Sequence, residues 1–209
     1  MKTALMVIDM QRDFLDPGGY AAAAGLDVGA LRTALAPAGR LLAAARAAQS
    51  LVVHTREGHL PDLSDCTPAK LARSGAAGAP IGSAGPLGRL LVRGEPGHDI
   101  VPELAPLPGE VVVDKPGYGA FHATALEDLL RGAGVERLLL CGVTTEVCVH
   151  STLREAVDRG FHCLLVGDAC ASAHPHLHAA ALEMVAVEGG IFGSVCSTDA
   201  AVALLGAGR

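Results

Sequence analysis

Six short, continuous apolar runs separated by longer helix-like segments constrain this chain more than any other property. The runs are ALMVID (4–9), LVVHT (51–55), VVVDK (111–115), RLLLCGV (137–143), HCLLVGDA (162–169) and the short GGIFGSV (189–195). Helical segments are expected around 30–48, 122–132 and 175–187, along TEVCVHSTLREAVDRG with Gly160 as its stop, and from about 198. A strand that is apolar at every position has no polar face to turn to water, so it needs cover on both sides. Strands alternating with helices supply that cover in a parallel sheet, with right-handed crossovers.

Residues 56–109 break the pattern, being rich in Pro and Gly with little periodicity. A connection this long belongs in a compact domain only if it serves a site or an interface. The expectation is one domain over 1–209, with 56–109 contributing to an active-site wall or a subunit contact.

Half of the 209 residues are hydrophobic, yet no uninterrupted apolar stretch is long enough to span a bilayer. The N-terminus MKTALMVIDMQ enters a strand pattern within three residues and lacks the regions of a signal peptide. A cytoplasmic protein without a membrane partner is expected. The net charge of -6, with no basic block, argues against nucleic acid as a partner. The six cysteines, at 66, 141, 148, 163, 170 and 196, show no framework spacing and read as reduced, mostly buried small hydrophobes.

Ligands in open parallel sheets bind beyond the carboxyl ends of the strands. The residues there are Asp9, the HTREGH tail of the second run, Lys115, the GVTTEVC turn and Asp168. An acid, an amine and a thiol (Asp9, Lys115, Cys148) brought to one sheet edge suit covalent catalysis. A nearby ammonium and a helix N-terminus both stabilise a thiolate, and first-turn amides can hold an oxyanion. Cys141, inside an apolar strand, is expected to be inert. A lone acid, lysine or cysteine at a strand end serves structure as readily as chemistry, so the residues alone leave both readings open.

The chain also resembles the isochorismatase-like cysteine hydrolase superfamily over nearly its whole length. The resemblance is carried in order by VIDMQRDFLDPGG (7–19), VVHTRE (52–57), DKPGYGAF (114–121), GVTTEVCVHSTLREAVDRG (142–160) and GGIFG (189–193). It implies an α/β, three-layer Rossmann-like fold with a six-stranded parallel sheet and helices on both faces, in a homo-oligomer, most often a tetramer. It implies Asp9, Lys115 and Cys148 as the catalytic triad, backbone amides of Thr144 and Cys148 as the oxyanion hole, and a cis peptide at Val143–Thr144. It further implies hydrolysis of an amide C–N bond through a Cys148 thioester, with ammonia as the leaving group.

Related nicotinamidases hold a metal with an Asp-x-His pair and a further His. Here Glu57-Gly58-His59 fills the pair and the next histidine is His98. Two ligands do not close a site, so no metal or other cofactor is expected, and Glu57 is read as salt-bridged or substrate-facing. The histidines of HPHLH (174–178), and His150, lack partners at ligand spacing.

The segment 54–104 resembles the biuret and triuret hydrolase branch, so a small ureido amide is the expected substrate and partner. The alternatives are another small carboxamide or carbamoyl compound (ureidoacrylate-, N-carbamoyl- or nicotinamide-like), or a catalytically silent interaction module. Phe14, Glu57, Tyr118 and Glu188 are the expected substrate contacts, with Arg93 either in the pocket or in a surface ion pair. Phe121 is either pocket wall or core. Glu188 stands where the branch carries glutamine; a carboxylate only accepts hydrogen bonds, which would favour donor-rich or cationic ureides.

Overall fold

The structure, a computed structural model, describes residues 1–207. Six strands form one sheet: β1 Thr3–Ile8, β2 Leu51–Glu57, β3 Val111–Lys115, β4 Arg137–Val143, β5 His162–Ala171 and β6 Ser194–Cys196. Every pairing is parallel and the spatial order is β3-β2-β1-β4-β5-β6. This is the expected six-stranded α/β sheet.

The periodicity of β1 shows why the sheet must be a middle layer. Leu5 and Val7 enter one hydrophobic cluster, while Ala4, Met6 and Ile8 enter the other, all at most 1% exposed. Helix α1 (Leu35–Ala47) covers the first face, burying Ala38, Leu41, Leu42 and Ala45 at helical spacing. On the second face lie Leu126 and Leu130 of α3 (Leu126–Gly132), Leu153 and Ala156 of α4 (His150–Asp158), and Val185 of α5 (Pro175–Gly190). The last helix, α6 (Thr198–Gly206), returns to the α1 face through Ala201 and Leu205.

Three boundaries differ from the sequence reading. Helix α3 starts four residues later than expected, because residues 116–125 fold around the Lys115 side chain as loop. Residues 189–193 are not strand: α5 breaks at Val187–Gly189, where Glu188 and Gly189 take left-handed angles, and pairing begins only at Ser194. Asp168 belongs to no site. Strand β5 continues past it after a register shift against β4, and its carboxylate caps α6 by accepting from the Thr198 amide (2.7 Å) and hydroxyl (2.9 Å).

Residues 58–110 hold more structure than their composition suggests. Thr67 accepts from the Lys70 amide and Pro68 fills the first helical position, which starts α2 (Pro68–Ala76). A two-residue hairpin (Ala84–Gly85 with Gly88–Arg89) and two 3-10 turns follow. The segment is laced to the exit of β1. The Gln11 amide donates to the carbonyls of Glu57 and His98 (3.0 Å each), and the Asp13 carboxylate accepts from the Leu91 amide (2.9 Å) and the Tyr20 amide (3.1 Å).

Candidate active site

The chain winds outward in opposite directions from β1 and β4, so a crevice opens between their carboxyl ends. Gly142 allows these strands to approach: its φ is 127°, and a Cβ there would stand 2.0 Å from the Ile8 carbonyl oxygen. Asp9 leaves β1 beside this point with φ 51°, the left-handed region that Asp and Asn tolerate best among residues with side chains. Across the crevice the Val143–Thr144 peptide is cis, and a π-helical turn, Thr145–Val149, presents Cys148 just before α4 begins.

Three sequence-predicted residues therefore meet. Lys115 Nζ lies 2.8 Å from Asp9 Oδ2, with both side chains fully buried. Donor atoms of Asp9, Glu57 and Cys148 lie within 4.8 Å of one another. Lys115 is fixed further by donating to the carbonyls of Gly117 (3.0 Å) and Tyr118 (2.9 Å). The Thr55 hydroxyl donates to Asp9 Oδ1 at 2.6 Å.

Glu57 is salt-bridged, one of the two roles expected of it. Its Oε2 accepts from the Cys148 thiol at 3.2 Å and lies 3.8 Å from Lys115 Nζ. Its Oε1 pairs with Lys70 Nζ at 2.6 Å, and Lys70 also donates to the Pro116 carbonyl at 2.6 Å. Lys70 is a site residue that the sequence reading missed. Its signal is the Thr67–Pro68 helix start, which places a lysine in the first turn of a helix.

The electrostatics separate the two carboxylates. Burial raises the Asp9 pKa above the ordinary carboxylate value despite the opposing Lys115 charge. Burial pushes Glu57 the same way, but Lys115 and Lys70 outweigh it and hold Glu57 low and ionised. Lys115 stays charged, because the neighbouring Asp9 and Glu57 carboxylates overcome the effect of burial. Burial lifts the Cys148 thiol well above its usual value, so the resting group is a thiol hydrogen-bonded to a carboxylate. Two carboxylates pushed apart in this way divide the labour of an acid–base site: one can exchange a proton, the other supplies fixed charge.

Other predicted contacts are distributed unevenly. Tyr118 lines a 340 Å³ cavity next to the triad, together with Lys70, Arg73, His122 and Ser151. Phe14 is core, 6% exposed, with its ring edge-on to Tyr20 at 5.9 Å. Tyr20 was not anticipated. Burial, with the nearby Glu57 carboxylate, pushes its phenol up to about 12. Arg93 is structural, donating to the Gly58 carbonyl (3.1 Å) and pairing with Asp65 (3.2 Å). Phe121 packs on Phe161 at 5.9 Å in the core.

Glu188 corrects the expectation of a substrate contact. In a parallel sheet each helix runs back toward the amino ends of the strands, and Glu188 lies at the far end of α5. It is exposed, and Gly189–Ser194 after it line a 640 Å³ cavity with Met1, Arg137 and His162, at the opposite edge of the sheet from Cys148. Within this chain Glu188 does not reach the triad.

Glu57, His59 and His98 do not converge as ligands. His59 faces Asp65 (3.2 Å) and His98 faces Asp114 (3.6 Å). The group of potential ligands that does come together among the described residues is Asp9, Glu57 and Cys148, which already surrounds the Lys115 ammonium. Cys141 is fully buried, and burial pushes its thiol up to about 12. No helix among the described residues is long and apolar enough to cross a membrane.

The fold is a parallel α/β sheet with a cysteine, a lysine and an acidic residue buried together at its switch point, as the family resemblance implies. Comparison with known proteins makes that specific: the Isochorismatase domain matches residues 3–200, and the chain belongs to the isochorismatase family. It is 32% identical over 185 residues to the ureidoacrylate amidohydrolase RutB of Azorhizobium caulinodans, covering 83% of this chain and 78% of that protein. To the same-named protein of Serratia proteamaculans it is 34% identical, covering 83% and 71%. Among solved structures, a cysteine hydrolase from Pseudomonas syringae pv. phaseolicola superimposes with a TM-score of 0.84 at 28% identity, covering 100% of this chain and 94% of that one.

Proposed function

We propose that the protein is a cysteine amidohydrolase that cleaves the terminal C–N bond of a small ureido acid. The observation that carries this is the buried Asp9–Lys115–Cys148 set, with Asp9 and Lys115 2.8 Å apart and the thiol within reach of both carboxylates. The resemblance to relatives named for ureidoacrylate moves the substrate away from biuret or triuret and toward a ureide carrying a carboxylate.

In the proposed reaction Asp9 accepts the Cys148 proton and Lys115 stabilises the thiolate. Sulfur bonds to the ureido carbonyl carbon, and the backbone amides of Thr144 and Cys148 hold the resulting oxyanion. The C–N bond breaks as Asp9 returns its proton to the leaving nitrogen, releasing ammonia and leaving an S-acyl enzyme. Water then adds to that carbonyl, giving its proton to Asp9. The C–S bond breaks, the thiol recovers the proton, and a carbamic acid departs. Glu57, ionised throughout, orients the thiol between turnovers. No cofactor takes part in this scheme. We extend the reading to a homo-oligomer, a tetramer by resemblance, which the exposed apolar side chains Leu177, Met184, Val187 and Ile191 support.

Ammonia release from ureidoacrylate, an N-carbamoyl amino acid, biuret, triuret and nicotinamide tests the proposal. The two ureido acids are expected to give the highest kcat/KM. No release from any of them, with Cys148 inert to iodoacetamide at neutral pH, would favour a silent interaction module of the same fold. Preference for biuret would restore that branch.

A further inference from the structure

We propose that Arg73, on the α2 wall of the cavity beside the triad, is the carboxylate-recognition residue of the substrate subsite. The inference rests on the function proposed above and specifies which end of the substrate sets its affinity. Lys70 and Arg73 are three residues apart on α2 and so share a face. Their heads sit over the same ring, Lys70 Nζ 4.8 Å and Arg73 Cζ 5.9 Å from the Tyr118 centroid.

Their charges are differently committed. The Lys70 ammonium is spent on Glu57 at 2.6 Å. Arg73 is exposed to the cavity and forms no ion pair among the described residues. The two acids on the same wall are both engaged. Asp65 accepts from the Leu60 amide (2.9 Å) and pairs with His59 and Arg93 (3.2 Å each), while Glu155 accepts from the Phe121 amide (2.9 Å). The positive charge on the cavity wall that no ion pair among the described residues holds is thus a guanidinium, whose planar fork matches a carboxylate. The cavity's 340 Å³ suits a small ligand.

The geometry also gives the subsite a direction. Ser151 lines the cavity one helical turn beyond Cys148, and the Tyr118 carbonyl accepts from Lys115 Nζ at 2.9 Å. One ion pair, Lys70–Glu57, separates the wall from the sulfur. The proposed pose sets the carbonyl of a ureido acid at Cys148, its chain along Tyr118 and its carboxylate at Arg73. A neutral ureide of the same length makes every contact except that one.

The test compares N-carbamoyl-β-alanine with its neutral primary amide, in the intact protein and in Arg73→Ala and Arg73→Lys. The expected result is a preference for the acid in kcat/KM that falls by about 30-fold or more in Arg73→Ala, mainly through KM, the size expected for a lost charge-assisted pair. Arg73→Lys should restore part of it. Loss of the acid preference through kcat alone, or an unchanged preference in both variants, overturns the assignment while leaving amide hydrolysis intact. If neither compound releases ammonia, the functional reading fails, and the subsite is judged by calorimetric titration with succinate. Succinate binding that weakens at least tenfold in Arg73→Ala supports the anion subsite; absent binding, or equal binding to both proteins, overturns it.

Discussion

The Cys148 thiol donates its hydrogen bond to Glu57 Oε2 at 3.2 Å, and Glu57 is itself clamped by Lys70 at 2.6 Å. Burial keeps this thiol protonated and the Glu57 carboxylate from β2 accepts its hydrogen bond, while Asp9, raised by burial, lies within 4.8 Å.

Cys148→Ser should fold normally and lose turnover by at least about a thousand-fold, since a hydroxyl at this site has no base strong enough to activate it. Single-turnover ammonia release, with thermal unfolding as the control for folding, measures this. Full turnover in Cys148→Ser would exclude a covalent thiol mechanism.

Lys115→Met should be both inactive and unstable. It leaves Asp9 and Glu57 buried beside each other without the ammonium that separates them, and breaking a buried ion pair by removing one partner costs about 3–5 kcal/mol. Urea denaturation reads this directly. A stability within 1 kcal/mol of the parent would show the pair to be solvated.

Lys70→Met should act on the pH profile. Glu57 is held low against burial by Lys115 and Lys70, so removing Lys70 lets its pKa rise. The acid limb of kcat/KM should move to higher pH, with Lys70→Arg recovering most of the original profile. A purely structural lysine would lower activity equally at every pH.

Glu110 predicts the acid limit of stability. The Arg46 guanidinium beside it, against a smaller effect of burial, holds its carboxyl down to about 2. A carboxyl whose pKa is depressed on folding stabilises the fold above its unfolded value, near 4.5, and loses that contribution as pH falls toward 2. Glu110→Gln should flatten Tm against pH across that window, and unchanged steepness would assign acid unfolding to other groups.

Glu188→Gln should leave the ranking of ureido substrates unchanged, because the residue lies exposed at the end of α5, at the opposite sheet edge from Cys148. A changed ranking would mean that a neighbouring copy brings Glu188 to the site.

The convergence of Asp9, Lys115 and Cys148 was legible because once the apolar runs are read as parallel strands their exits share one edge; their joint role as a triad came only from the family resemblance. Cys141 and Cys148 were separable for the same reason, one within a strand and one beyond it. Lys70 was hidden because α2 lies in a Pro- and Gly-rich stretch where apolar periodicity, the main signal for helices, is weak. Glu188 was misplaced because a motif next to a strand says nothing about which end of that strand it occupies. The break at Val187–Gly189 was concealed by glycines and apolar residues that suit a strand as well as a turn.

Asp9 answers to two independent demands. Its φ of 51° narrows the residues that fit comfortably to a few, and its proton chemistry narrows them again to one. Asparagine satisfies the backbone and keeps the side-chain shape while silencing the charge, so it is the substitution that isolates chemistry from folding at this position; alanine would confound the two. A lineage drifting away from catalysis would be expected to pass through asparagine here, and a sequence carrying it would keep the shape of this crevice with its proton carrier removed.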